Sequence, residues 1–300
     1  MGCTRRAVLA ACIAAPAAAS AADGVTQVAR GVFVRRGFDA EATRSNANGI
    51  ANACFVIGRD AVVVVDPGGS LIDGARLRRA IRARTDRPIT HVVLNHDHPD
   101  HVFGASAFLA DRPAVVGHHR LAESLLIRGA YDRARLVGML GDEAAGQVMV
   151  PTIAVRDRLV IPLGGRTLMV TAHPPAHTRC DLSMIDDASG LLFTGDLLFV
   201  RRVPAIDGSL TGWLAVLDGL VATRAVPGHG PAVVDTARVV AALRRYLTIL
   251  RDETRAAIAA GVGIERAADT IGLSERPHWR LFDAYHRRNV IAAYKELEWE

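Results

Sequence analysis

The stretch Thr90-His91-Val92-Val93-Leu94-Asn95-His96-Asp97-His98-Pro99-Asp100-His101 decides how the chain is read. Its first half closes an apolar run, Ile89 to Leu94, that reads as a strand. Its second half is a histidine and aspartate cluster. Imidazole nitrogen and carboxylate oxygen are donors suited to Zn²⁺. At a strand-to-loop junction alternate residues share a face, so His96 and His98 point the same way. Asp100 and His101 fall on the following turn, offset enough to serve a second ion. Packing these groups together costs on the order of several kcal/mol in repulsion and desolvation unless a positive charge neutralises them. A divalent cation would do so.

Three more donors follow strands further along the chain. His177 comes after a strand at 167–172, in Ala172-His173-Pro174-Pro175-Ala176-His177-Thr178. Asp196 ends a strand at 191–194, in Phe193-Thr194-Gly195-Asp196, and His229 follows a strand at 224–227, in Val226-Pro227-Gly228-His229-Gly230. Five histidines and two aspartates at strand ends are what a two-metal pocket at a sheet edge requires.

Outward from these motifs, β-rich runs alternate with helical patterns to about residue 235, after which helices dominate. Ile50–Ile57 and Ala61–Val65 flank Gly58-Arg59-Asp60, a hairpin signal, and Asp66-Pro67-Gly68-Gly69 stops the second run. Leu71–Ala83 has helical periodicity. Strands are expected at 89–94, 114–117, 157–161, 167–172, 182–186, 191–194 and 224–227, and a short helix through Leu109. His118 and His119 are read as beginning another helix. Ala237–Ala260 and Trp279–Leu297 read as amphipathic helices. Many hairpins and no βαβ regularity favour an α/β fold of two packed sheets flanked by helices. The expected division is a signal peptide at 1–22, one sandwich domain at 23–236, and a helical extension at 237–300 packed on it. There is no G-x-G-x-x-G after the first strand, no P-loop and no G-x-S-x-G elbow, which removes the dinucleotide, nucleotide and serine-hydrolase readings.

Composition narrows the partners. Half of the 300 residues are hydrophobic and 22% charged, with a formal net charge of +5, so the chain is globular. Lys295 is the only lysine, the arginines are scattered, and aromatic residues make up 5%, so no nucleic-acid surface is indicated. A small-molecule substrate is expected. Arg5 and Arg6, the apolar stretch Ala7–Ala15 and Ala19-Ser20-Ala21 form a secretory signal, by the Sec or the twin-arginine route, cleaved after Ala21 or Ala22. Leu9-Ala10-Ala11-Cys12 resembles a lipoprotein box, but the apolar run before Cys12 is too short for one. A periplasmic or secreted mature chain without a membrane-spanning segment is therefore expected. It would keep Cys54, read as a buried strand thiol, and Cys180.

In this order H-x-H-x-D-H, a later histidine, T-G-D and P-G-H-G strongly resemble the metallo-β-lactamase superfamily, over about Val25 to Val234. The resemblance implies an αβ/βα sandwich with metals at one edge. It implies that His96, His98 and His177 hold a first zinc, that Asp100, His101 and His229 hold a second, and that Asp196 bridges them, with iron or manganese as alternative metals. Asp66 matches a position that supports the site without binding metal. The bridging aspartate is similar to the glyoxalase II and general hydrolase branch rather than to the zinc β-lactamases. The segments Arg201–Trp213 and His286–Glu298 resemble the exported quinoprotein relay system zinc metallohydrolases. The implied chemistry is hydrolysis of an ester, thioester, lactone or amide-like bond by a metal-bridged hydroxide, with Asp196 and Asp100 orienting it and Asp100 moving its proton.

Several residues keep two readings. Cys180, where many relatives have glycine, is a packing thiol or a redox-sensitive ligand. Arg201 and Arg202 are an exposed pair or bind an anionic substrate group. His91, His118, His119, His173, His278 and His286 are read as structural, and Met139 and Met149 as packing. Alternative functions are a mononuclear iron persulfide-type dioxygenase, a class B-like β-lactamase, and a non-catalytic metal-binding accessory protein.

Overall fold

A computed structural model describes residues 24–300, so the signal segment read at 1–22 lies outside the described residues. The first sheet runs β1 (Val25–Ala29), β2 (Val32–Arg35), β3 (Ala53–Ile57), β4 (Val62–Val65), β5 (Ile89–Val93), β6 (Ala114–His118) and β7 (Ile153–Val155), in that spatial order. The second holds β8 (Arg158–Pro162), β9 (Thr167–Ala172), β10 (Leu182–Asp186), β11 (Leu191–Phe199), β12 (Arg224–His229) and β13 (Val234–Asp235), ordered from β13 to β8.

Strand side chains alternate between faces, and here both faces are buried. Val63 and Val65 of β4 pack with Leu168, Val170, Met184 and Phe193 of the opposite sheet, forming the central layer of the core. Val62 and Val64 point the other way, onto Leu77 and Ile81 of helix α1 (Leu71–Arg82) and onto Leu121, Leu125 and Leu136 of α3 (Leu121–Leu140). The outer face of the second sheet, with Leu192 and Ala225, is covered by α5 (Leu210–Asp218), α6 (Thr236–Ala259) and α8 (Phe282–Leu297). The result is four layers, helix–sheet–sheet–helix. Short helices α2 (Pro99–Val102), α4 (Asp142–Ala145) and α7 (Ile264–Thr270) and 3-10 helices at Phe103–Asp111 and Leu273–His278 complete the elements of the described residues.

Three expectations need correction. The first sheet is antiparallel only as far as β4; β4, β5, β6 and β7 are parallel, joined by helical crossovers. One of these is α3, whose apolar period is blurred by the exposed Leu126, Ile127 and Tyr131. His118 ends β6 rather than opening a helix. Strand β11 continues to Phe199, so Asp196 sits inside a strand, next to a register shift at Gly195.

The C-terminal helices are tied to the sandwich by specific polar contacts as well as apolar ones. Glu296 of α8 accepts hydrogen bonds from the Leu210 N (2.6 Å), the Thr211 N (3.1 Å), the Thr211 hydroxyl (2.7 Å) and the Ser209 hydroxyl (2.8 Å), capping α5 from outside. Burial pushes the Glu296 carboxyl up, and these donors outweigh it, leaving it below its ordinary value. Glu296→Ala should lower stability by about 1–2 kcal/mol at neutral pH, measured by urea unfolding, because the carboxylate is only half buried. A group whose folded pKa is depressed stabilises above its unfolded value, near 4.5. The advantage over the variant should therefore vanish as pH falls through the folded pKa.

Candidate metal centre

The C-terminal ends of the central strands and the loops after them carry the cluster. Beyond β5, Asn95 and His96 lead into α2, whose first turn holds Asp100 and His101, with His98 as its N-cap and Pro99 at its first position. The turn is fixed from behind by Asp66 at the end of β4. Its carboxylate accepts from the Asn95 N at 2.9 Å and from His101 Nδ1 at 2.8 Å. His177 lies in the β9–β10 loop, which Asp181 closes by accepting from the Thr178 N (2.8 Å) and hydroxyl (2.7 Å). Asp196 is presented by the irregular part of β11, where Gly195 adopts φ +50° and its Cα faces Asn95 too closely for a side chain. His229 ends β12 after Gly228, where a Cβ would lie 1.9 Å from Asp196 Oδ1.

All seven side chains meet. Donor atoms of His96, His98, His177 and Asp196 lie within 4.8 Å of one another, and so do those of Asp100, His101 and His229. Asp196 lies between the two groups: Oδ2 is 3.5 Å from His177 Nε2 and 3.4 Å from His229 Nε2, and Oδ1 is 3.2 Å from His101 Nε2. Asp100 Oδ2 is 3.3 Å from His229 Nε2 and 3.7 Å from His101 Nε2.

Ring orientation is set from outside the cluster. His177 Nδ1 donates to the Ala205 carbonyl (2.7 Å) and His229 Nδ1 to the Ile50 carbonyl (3.0 Å), so in each neutral ring Nε2 keeps its lone pair facing inward. His98 is turned the other way. Its Nε2 is bound to Asp207 Oδ2 at 2.8 Å, which leaves Nδ1 facing the cluster. Among the described residues, three buried inward atoms, His96 Nε2, His101 Nε2 and Asp196 Oδ1, find no hydrogen-bond partner. Unpaired buried donors and acceptors are costly, and here they converge on shared space without the alignment of hydrogen bonds. Imidazoles, carboxylates and inward lone pairs fit divalent cations of the zinc type.

The electrostatics show the same tension. Burial drives His96 well below the ordinary imidazole value and His177 to about 4. Burial opposes charge on His101 and His229 too, but Asp196, Asp66 and Asp100 raise the first well above the ordinary value. Asp196 and Asp100 raise His229 to about 9. Asp196 stays ionised against its burial because His229 and His101 face it. Without a bound cation, protonated imidazoles balance the carboxylates.

Other expectations resolve individually. Cys180 and Cys54 are free, buried thiols in separate core clusters; Cys180 packs beside the Thr178 hydroxyl and joins neither donor group. His173 bonds the Ser183 hydroxyl, His118 the His173 carbonyl, and His286 sits between Tyr246 and the Ile271 carbonyl, all apart from the cluster. Arg201 is exposed, whereas Arg202 is buried and lines the cavity over the cluster. Asp207 was missed by sequence reasoning. Its Oδ1 accepts from Arg288 at 2.6 Å, so α8 holds the carboxylate that orients His98. The two segments 201–213 and 286–298 in fact pack together, with Asn289 bonding the Pro204 carbonyl (2.6 Å) and the Ile206 N (3.1 Å).

The profile of the Metallo-beta-lactamase superfamily matches residues 47–261. The chain is 33% identical over 184 residues to an acyl-coenzyme A thioesterase, MBLAC2, of Bos taurus, covering 55% of this chain and 61% of that protein. It is 23% identical over 271 residues to a linear primary-alkylsulfatase of a Pseudomonas species, covering 76% and 51% respectively. It thus spans about three fifths and half of these relatives' lengths. A metallo-beta-lactamase from Pontibacter korlensis superposes with TM-score 0.61 at 18% identity, covering 75% of this chain and 98% of that one; the likeness is one of fold.

Two outcomes follow from this geometry. Because His229 holds its proton up to about pH 9 in the metal-free chain, a cation must displace it. Apparent Zn²⁺ affinity should therefore rise with pH up to about 9, with proton release on loading, seen by calorimetry in buffers of different ionisation enthalpy. An affinity flat between about pH 6 and about pH 9 would contradict the arrangement. Asp207→Ala should weaken metal binding by about 10–100-fold by freeing His98, with the unfolding midpoint little changed.

Proposed function

The chain belongs to the metallo-beta-lactamase superfamily, and on that basis we propose that it is a zinc-dependent hydrolase that cleaves ester or thioester bonds with two cations. The observation that carries this reading is the convergence of seven donor side chains, four of whose rings are held from behind. His96, His98 and His177 would hold one cation and Asp100, His101 and His229 the other, with Asp196 between them. Bound there, divalent cations supply a water acidified from about 15.7 to near 7 and polarise a substrate oxygen.

The chain's own groups do the rest. Asp100 is partly accessible from the cavity and is placed to orient an attacking water and take its proton. Phe199 stacks on His229 with ring centroids 5.5 Å apart, and Trp213 lies 5.2 Å from His177, walling the inner side against solvent. The match to a thioesterase supports a thioester as the first substrate class to test, and a sulfatase as second relative keeps ester chemistry in view.

Export to the periplasm rests on the N-terminal pattern of Arg5, Arg6 and Ala19-Ser20-Ala21. A role beside a quinoprotein pathway rests on the segments 201–213 and 286–298.

Purified protein should hydrolyse simple thioesters or esters, lose that activity to a chelator and regain it with Zn²⁺. His98→Ala and Asp196→Ala should each lower kcat/KM on the order of 10²–10³-fold, the scale of removing one element of transition-state charge stabilisation. Undiminished hydrolysis after complete metal removal would defeat the proposal.

A further inference from the structure

Arginine is abundant in this chain, but Arg202 is unlike the other arginines that are buried. Arg35 is paired with Asp73 at 2.7 Å, and Arg166 with Asp186 at 2.6 Å. Arg202 is equally buried, at 6% exposure, yet among the described residues no carboxylate lies within hydrogen-bonding distance of it. Its partners are the Ala40 carbonyl (2.9 Å) and the Tyr285 hydroxyl (3.5 Å). The nearest carboxylate oxygen, on the half-exposed Glu41, is 3.9 Å away, and the other Glu41 oxygen accepts from the Tyr285 hydroxyl at 2.9 Å. A buried cation without a close counter-charge is unfavourable, and the usual resolution is an anion.

The position of Arg202 says where that anion comes from. Its side chain lines a cavity of about 160 Å³ that also exposes His98, Asp100, Asp196 and His229. The other two arginines there are spoken for: Arg128 by Asp97 and Asp132, and Arg288 by Asp207. Asp207 is in turn held by His98, and Asp100 and Asp196 face the imidazoles. Among the described residues, Arg202 is thus the one guanidinium of the cavity whose charge no carboxylate answers at close range. Its planar fork suits a carboxylate, sulfate or phosphate held bidentately. The ring of Tyr285, 5.7 Å away on α8, steadies it from one face.

We propose that Arg202 is the specificity-determining residue of the site and that the substrate carries an anionic group close to the bond that is cleaved. This rests on the hydrolase reading for the word substrate, but not for the binding of the anion. The two are separable by experiment.

Inorganic sulfate titrated calorimetrically into the metal-loaded protein should bind, and Arg202→Gln should weaken it by about tenfold or more, as expected for a charge-assisted pair. Arg202→Lys, which keeps the charge but loses the fork, should fall between the two; it carries the comparison if the glutamine variant does not fold. With the acetyl and succinyl thioesters of one small thiol, Arg202→Gln should raise KM for the succinyl ester by about tenfold or more relative to its effect on the acetyl ester. Equal sulfate affinity in wild type and variants, or equal KM changes for both thioesters, would overturn the proposal. Arg202-dependent sulfate binding in a protein that hydrolyses neither thioester would leave the anion site standing and remove the thioester reading instead.

Discussion

Everything at this site follows from the apposition of buried carboxylates and imidazoles that cannot satisfy one another. Asp196 is buried between His101, His177 and His229 at 3.2–3.5 Å, while among the described residues one of its oxygens and two imidazole nitrogens remain without hydrogen bonds. Such an arrangement is expensive in a low-dielectric interior unless positive charge is supplied. Protons can supply it, as the raised His101 and His229 show, and divalent cations can supply more of it. Binding of cations and folding of the loops are therefore coupled.

The sandwich makes that apposition possible by rigidity at a distance. Strands buried in the sandwich end together, so Asp66 after β4, the turn after β5, Asp196 within β11 and His229 at the end of β12 are presented from fixed points. A supporting layer then removes the remaining freedom: Asp66, the Ile50 and Ala205 carbonyls and Asp207 each fix one ring. The C-terminal helices belong to this layer as well as to the core. Arg288 holds Asp207, Tyr285 borders the cavity, and Glu296 caps α5, so α8 reaches the chemistry through side chains far from it in sequence.

Much of this was legible in the sequence because its signals are local. The strand ends before His177 and before His229 follow from apolar runs closed by proline or glycine, the one before His96 from an apolar run that gives way to polar residues, and seven donors in order pointed to one place. The supporting role of Asp66 was implied by the family resemblance, whereas its position closing a strand suggested only a turn. What escaped depended on tertiary contact. Asp207 lies in a loop with no motif of its own, and only the approach of Arg288 and His98 gives it a role. The extension of β11 through Asp196 was hidden by Gly195, whose φ of +50° bends the strand without ending it. A helix was expected from His118, but α3 begins at Leu121, and apolar residues on its outward face blur the period that marks a buried stripe. The difference between Arg201 and Arg202 is likewise invisible in a dipeptide; burial alone separates them.

The most direct test of the account is the metal content of the purified, zinc-supplemented protein by elemental mass spectrometry, wild type against His229→Ala. The account predicts two equivalents of divalent cation per wild-type chain and loss of one of them in the variant. A wild-type chain that retains no divalent cation, or a variant that retains both, would contradict it.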